Sequence, residues 1–266
     1  MMTFFRKLFR APDAAPCPAI PDGERVYAIG DIHGCSDLFA ALIEAIDSDD
    51  AAREPAQTTV ILLGDLVDRG PDSAGVIALA RDWQARRRVR ILTGNHEEMF
   101  LASMDKTEVL RHFLRFGGRE TVLSYPIDAE AYASADLAET QTLMRSAIPP
   151  ADLAFLRSFE DYIAIGDYLF VHAGIRPDVA LADQSLQDLR WIRQPFLEHK
   201  SSFGPVVVHG HTIFDQAEFR HNRIGIDTGA YASGRLTALG LEGTTRWLIE
   251  ASSADGVIRA GQRSIP

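Results

Sequence analysis

The sequence predicts an α/β domain of two packed, mixed sheets flanked by helices, an α/β/β/α sandwich with a helical insertion between its halves. Three observations predict it. Short β-branched runs alternate with longer helical stretches from Arg25 to Leu92, a βαβαβ order that implies a parallel sheet with right-handed crossovers. A largely helical stretch follows from His96 to about Phe159, and a series of short apolar runs then extends from Tyr162 to Glu250.

The first strand is RVYAI (25–29), followed by a helix from about Ser36 to Ile46. TVILL (59–63), a helix from about Ser73 to Arg88 and VRIL (89–92) complete the parallel half. In the insertion, LRHFLRF and DLAFLRSF have helical spacing, and Pro126 and Pro149-Pro150 break it. GGRETVLSY (117–125) reads either as a wall of a substrate groove or as a helix connection capped by Gly117. The second half reads as YIAI (162–165), YLFVHAG (168–174), VVVHGH (206–211), AEFR (217–220), RIGID (223–227), LTALGL (236–241) and TRWLIE (245–250). Gly166-Asp167 is a hairpin signal, and the short spacings suggest antiparallel pairing. Residues 1–23 read as a flexible tail and a Pro/Ala-rich linker ahead of one domain, 24–266, whose helical insertion covers about 97–160.

The chain has 266 residues, 46% hydrophobic and 24% charged, an ordinary globular composition that excludes disorder for its bulk. Its formal charge of −10 argues against nucleic acid as a partner. Two cysteines are too few for a disulfide scaffold, so the cytoplasm is the expected location. The opening MMTFFRKLFR has the makings of one amphipathic turn but no signal-peptide core, and no run is long enough to insert stably in a membrane.

Polar clusters fall where strands end. GDIHG (30–34) follows the first strand, GDLVDRG (64–70) the second and TGNHEEM (93–99) the third, all at the sheet edge where open α/β sheets place ligands. VHAG (171–174) and VHGHT (208–212) each put a histidine after a β-branched run. Taken singly, each has an ordinary structural reading: a turn capped by Asp31, a surface ion pair of Asp68 and Arg69, or a satisfied strand-end histidine. Together they offer hard oxygen and borderline nitrogen donors, suited to Mn, Fe, Zn or Mg rather than thiolate chemistry.

In this order the motifs resemble the metallophosphoesterase superfamily, and more narrowly the phosphoprotein phosphatase family in its small bacterial and phage-type members. The resemblance runs from about Val26 to Gly240 and implies a calcineurin-like sandwich with two divalent metal ions. Carried over by motif, Asp31 and His33 bind the first ion, Asp65 bridges both, and Asn95, His172 and His211 complete the second. Manganese is the usual activator in the bacterial relatives, and the ligand set also admits iron or zinc. Two carboxylates neutralise half the charge of two divalent ions, so the centre stays cationic, attracts phosphate and makes hydroxide available near neutral pH for in-line attack.

The resemblance also makes His96 the general acid for a seryl or threonyl leaving group. Asp68 would keep that ring protonated and oriented, and Arg69 and Arg193 would hold phosphate oxygens. Ile213 stands where many superfamily members have a further histidine ligand, and Thr93 stands where several phage-type relatives have arginine. Asp227, in DTGA (227–230), reads as a turn or supporting residue. The expected activity is a phosphomonoesterase acting on phosphorylated protein or peptide, with symmetrical hydrolysis of diadenosine tetraphosphate on the same fold as the alternative. Nothing in the sequence indicates an oligomeric state.

Overall fold

The structure is a computed structural model and describes residues 17–265. The amphipathic opening segment and residues 11–16 of the expected linker lie outside the described residues. The described part of that linker is packed: Ile20 is buried, its N–H donates to the Gly243 carbonyl, and the Ala19 N–H donates to Asp167. Within the expected linker, the buried Ile20 side chain and the N–H groups of Ala19 and Ile20 are thus tied to the rest of the fold.

The parallel half matches its reading closely. Strand β1 (Glu24–Ile29), helix α1 (Ser36–Ala52), β2 (Gln57–Leu62), α2 (Ser73–Arg86) and β3 (Val89–Ile91) follow in order, with β1 parallel to β2 and β2 to β3. Helix α1 outruns its apolar pattern by about a turn and a half. Its polar end is held by cations, with Asp47 paired to Arg87, Asp49 to Arg53 and Asp50 to Arg25.

The insertion comprises α3 (Asn95–Ser103), α4 (Thr107–Phe113), a π-helical turn at Leu114–Gly118, α5 (Arg119–Ser124), α6 (Ala129–Ser134), α7 (Leu137–Ala147) and α8 (Pro150–Leu156). Proline opens α8, where a missing N–H costs nothing. Then come β4 (Tyr162–Ile165), β5 (Tyr168–Val171), α9 (Leu186–Trp191), β6 (Val206–His209), β7 (Glu218–Phe219), β8 (Arg223–Gly225), α10 (Ala230–Ser233), β9 (Arg235–Glu242), β10 (Thr245–Ala254) and β11 (Val257–Arg263).

The strands form two sheets, ordered β11-β10-β9-β1-β2-β3 and β4-β5-β6-β8-β7. The hairpin at Gly166-Asp167 is antiparallel, but β5 with β6 and β6 with β8 pair in parallel. That corrects the antiparallel expectation for these two pairings, while β7 with β8, β9 with β10 and β10 with β11 are antiparallel as expected. The reason is burial: β5 and β6 are covered on both faces and read as unbroken apolar runs, which parallel strands favour.

Alternation along the strands sets the layers. Val26, Ala28 and Ile61 point into a core shared with Ile163, Phe170 and Val208 of the other sheet. Tyr27, Ile29, Val60 and Leu62 face Phe39, Leu42 and Trp83 of the helices. On the far side, Leu169, Val171 and Val207 pack against Leu189, Ile192 and Phe196. Both sheets are thereby gripped on two faces, and their strand ends present the loops at fixed heights.

Candidate active site

Backbone strain marks where the loops meet. Seven described non-glycine residues have positive φ, and five of them are His33, Asp65, Asp68, Arg69 and His211. Such conformations persist only where the surroundings over-determine them.

Glu97 supplies much of that determination. Its buried carboxylate accepts from the N–H groups of Gly94, Asp65 and Leu66 at 2.9, 2.9 and 2.7 Å, with the Val67 N–H at 3.4 Å. It thus pins the loop after β2 onto the start of α3. A Cβ at Gly94 would collide with the Asp65 carboxylate, which explains the glycine there. Burial and the neighbouring Asp65 raise the Glu97 pKa to about 7. The sequence reading assigned Glu97 no role, although it lies inside the GNHE motif.

The structure brings His33, Asp65 and His96 together, and Asp65, His172 and His211 together, each set with donor atoms within 4.8 Å of one another. Both sets are buried and both use Asp65. His33 and His172 spend Nδ1 on the carbonyls of Val67 and Leu63, at 2.8 and 2.7 Å, which turns each Nε2 toward the centre. Asn95 Oδ1 lies 3.0 Å from His172 Nε2 and 2.8 Å from His211 Nδ1. Asp65 Oδ1 is 3.4 Å from the same His172 nitrogen.

Lone-pair atoms at such separations repel unless a proton or a cation lies among them. This donor set fits divalent metal ions. Burial holds His33 down to about 3 and His211 to about 2, the neutral forms that ligate. His172 is raised instead: burial opposes its charge, but Asp65 outweighs burial.

Asp31 falls in neither three-donor set. Its carboxylate accepts from the His211 N–H at 3.1 Å, and burial, Asp227 and Asp65 push its pKa well above the usual range. Asp227 has one carboxylate oxygen bonded to the Gly229 N–H at 2.8 Å and the other buried without a partner. Two adjacent buried carboxylates in this state are a further mark of a cation-binding environment.

Beside the donors lies a second arrangement. His96 Nδ1 is 2.6 Å from Asp68 Oδ2, and both groups are buried. Burial disfavours a charged ring, but Asp65 and Asp68 prevail and raise the His96 pKa. Arg69 meets His33 Nε2 at 2.8 Å and His96 Nε2 at 2.9 Å. Guanidinium only donates, so both ring nitrogens accept in this arrangement. While Arg69 stays there, the His96 proton sits on Nδ1 despite the raised pKa.

The insertion reaches into this arrangement, which the sequence had left open. Thr121 Oγ1 donates to Asp68 Oδ1 at 2.6 Å and accepts from the Asp68 N–H at 2.8 Å. Gly117, at φ 105°, accepts from the Arg69 N–H at 2.9 Å. GGRETVLSY is therefore a clamp on the Asp68-Arg69 turn, and Gly117, in a left-handed conformation, stands at the kink between two helices.

Arg193 is exposed and lines one cavity of about 240 Å³ with Arg69, Asn95, His96, Met99, Phe116 and His211. Tyr231 stands at the same mouth, its ring centroid 5.4 Å from that of His33 and 4.9 Å from the Arg69 guanidinium carbon. Ile213 is 47% exposed, so the position lacking a further histidine leaves that side open. Thr93 is buried and bonds through its N–H to the Glu160 carbonyl, so it offers no arm to this cavity. His209 faces Phe196 and Phe214, away from the donor sets.

A two-sheet sandwich with aspartate, asparagine and histidine donors around a shared aspartate, beside an arginine-lined cavity, defines a metallophosphoesterase. The family model for calcineurin-like phosphoesterases matches residues 24–261, and the chain belongs to that family. It is 27% identical to an asymmetrical bis(5'-nucleosyl)-tetraphosphatase from Anoxybacillus flavithermus, over 79% of this chain and 88% of that protein. It is 35% identical to serine/threonine-protein phosphatase 1 of Salmonella typhimurium over 41% of this chain and 46% of that one. Among solved structures, a cold-active protein tyrosine phosphatase shares the fold with TM-score 0.58 and 22% identity, covering 92% of this chain and 80% of that one. Among the described residues no helix is long and apolar enough to cross a membrane.

Proposed function

We propose that this chain hydrolyses phosphate monoesters of serine and threonine side chains in phosphorylated proteins or peptides, with two divalent ions, manganese first among the candidates. In this reading Asp31, His33 and Asp65 hold one ion, and Asp65, Asn95, His172 and His211 hold the other. Bound there, the ions supply positive charge against the phosphoryl oxygens and acidify water for attack at phosphorus.

Arg69 and Arg193 receive the phosphoryl oxygens. For Arg69 that means leaving the two imidazoles it now bridges, which frees His96 Nε2 to carry a proton. Asp68 keeps Nδ1–H occupied and the ring fixed, so the Nε2 proton passes to the departing seryl or threonyl oxygen.

The His96–Asp68 pair at 2.6 Å, beside the Arg69 guanidinium, carries this reading. An alkoxide needs a proton to depart, whereas a polyphosphate anion needs one far less. A second reading, hydrolysis of dinucleoside tetraphosphates, is favoured by the long coverage of the Anoxybacillus relative. One assay separates them: kcat/KM on a phosphoserine peptide and on diadenosine tetraphosphate, with manganese and then with chelator. A faster peptide reaction supports the first reading. A strong preference for the dinucleotide overturns it, and its products would distinguish symmetrical cleavage from asymmetrical.

A further inference from the structure

A second polar cavity, of about 660 Å³, lies at the amino ends of β6 and β8, opposite the strand ends that carry His211 and Asp227. Its walls include His199 and Lys200 from the segment before β6, and Arg220, His221 and Arg223 from the β7–β8 turn. Its charge is unbalanced. Glu218 is shared by two guanidinium groups, Arg220 at 2.7 Å and Arg223 at 2.7 Å. Glu198 is the remaining carboxylate on the walls and is exposed, with no partner among the described ion pairs. Lys200 is also without one.

Arg223 forms the floor of this basic wall, its Nη2 donating to Glu218. Its side chain is more than nine-tenths buried, and its Nε–H finds no acceptor. The walls are also held in place. Asn222 Nδ2 donates to the carbonyls of His199 and Ser201 at 3.0 and 2.8 Å, and the Asn222 carbonyl accepts from the Val207 N–H. This locks the turn, the preceding segment and β6 together. The overall charge of −10 makes such a concentration of cations a local feature, since the rest of the surface opposes it.

We propose that this cavity is a binding site for a small molecule bearing a diphosphate, separate from the hydrolytic centre. Guanidinium forks match phosphoryl oxygens in pairs, and Lys200 adds a point charge that tolerates varied geometry. The volume lies in the range of small-molecule sites and exceeds what one orthophosphate fills.

The test follows the imidazole NMR signals of the magnesium-loaded full chain as methylenediphosphonate is added in excess magnesium, since its P–C–P link resists hydrolysis. His199 and His221, assigned through His199→Gln and His221→Gln, should shift saturably. Arg220→Ala, at an exposed side chain, should weaken that response by about tenfold, and orthophosphate should bind about tenfold more weakly than the diphosphonate. Movement confined to His33, His96, His172 or His211 would overturn the site. An unchanged response in Arg220→Ala would do the same, and equal affinity for orthophosphate would overturn the ligand class.

Discussion

The two ends of the sheets are built differently. At the carboxyl ends of β1, β2 and β6, the chain accepts five left-handed non-glycine residues and buries charged groups against one another. At the amino ends of β6 and β8, the turn 220–222 has no such residue, and its charges are paired or exposed. The difference teaches where folding energy is stored. Hydrophobic burial in both sheets holds these loops in conformations they would not keep alone, and Glu97 and Thr121 are the main polar ties that transmit it.

Removing the shared donor should break the strained end most severely. Asp65→Asn is expected to lose bound metal at both positions and to lower activity by about 10³ or more, checked by elemental analysis beside p-nitrophenyl phosphate turnover. Full occupancy of both sites would refute the shared role. His96→Asn should leave metal content unchanged while kcat falls by about 10² to 10⁴, and retained turnover would remove His96 from proton transfer.

The ties themselves give smaller effects. Glu97→Ala leaves the buried N–H groups of Gly94, Asp65 and Leu66 without their acceptor, so a loss of about 3 kcal/mol or more is expected in urea unfolding. A loss under about 1 kcal/mol would show that water replaces the carboxylate. Thr121→Val should cost about 1–2 kcal/mol and lower kcat with little change in KM, because it loosens Asp68 without touching the cavity lined by Arg69 and Arg193. An unchanged kcat would deny the insertion any part in orienting His96.

A control whose partners belong to neither end sharpens the contrast. Burial raises the Asp49 carboxyl pKa, but hydrogen bonds from Arg53, Tyr27 and Gln262 outweigh it and hold the group below its ordinary 3.8. Its contribution is therefore complete above that value and fades as pH falls through the lower folded value. Asp49→Asn should flatten this part of the acid-unfolding curve while leaving metal-loaded turnover at neutral pH unaltered.

Much of the parallel half was legible because burial on both faces makes its strands continuous apolar runs, and its loops carry Gly-Asp and Gly-Asn-His at each exit. Strand β11, with VIRAGQR largely exposed, was missed because it has no continuous apolar face; pairing with β10, Ile258 against the core and Gln262 bonded to Asp49 hold it in place. The six-residue helix α9 was missed for want of length. The parallel pairing of β6 with β5 and β8 was misread because the short spacings were weighed above the unbroken apolar runs of β5 and β6.

The same division holds at the site. The sequence alone determined which donors exist, and the motifs that name Asp31, His33, Asp65, Asn95, His96, His172 and His211 lie in short local windows. Only the tertiary structure decided that Glu97 ties two of those windows together, that Thr121 and Gly117 reach from the insertion to hold Asp68 and Arg69, and that Arg69 bridges two imidazoles. Local spacing records what a strand end can offer. Hydrogen bonds between residues dozens of positions apart depend on how the sheets and insertion pack, and that packing is a property of the whole chain.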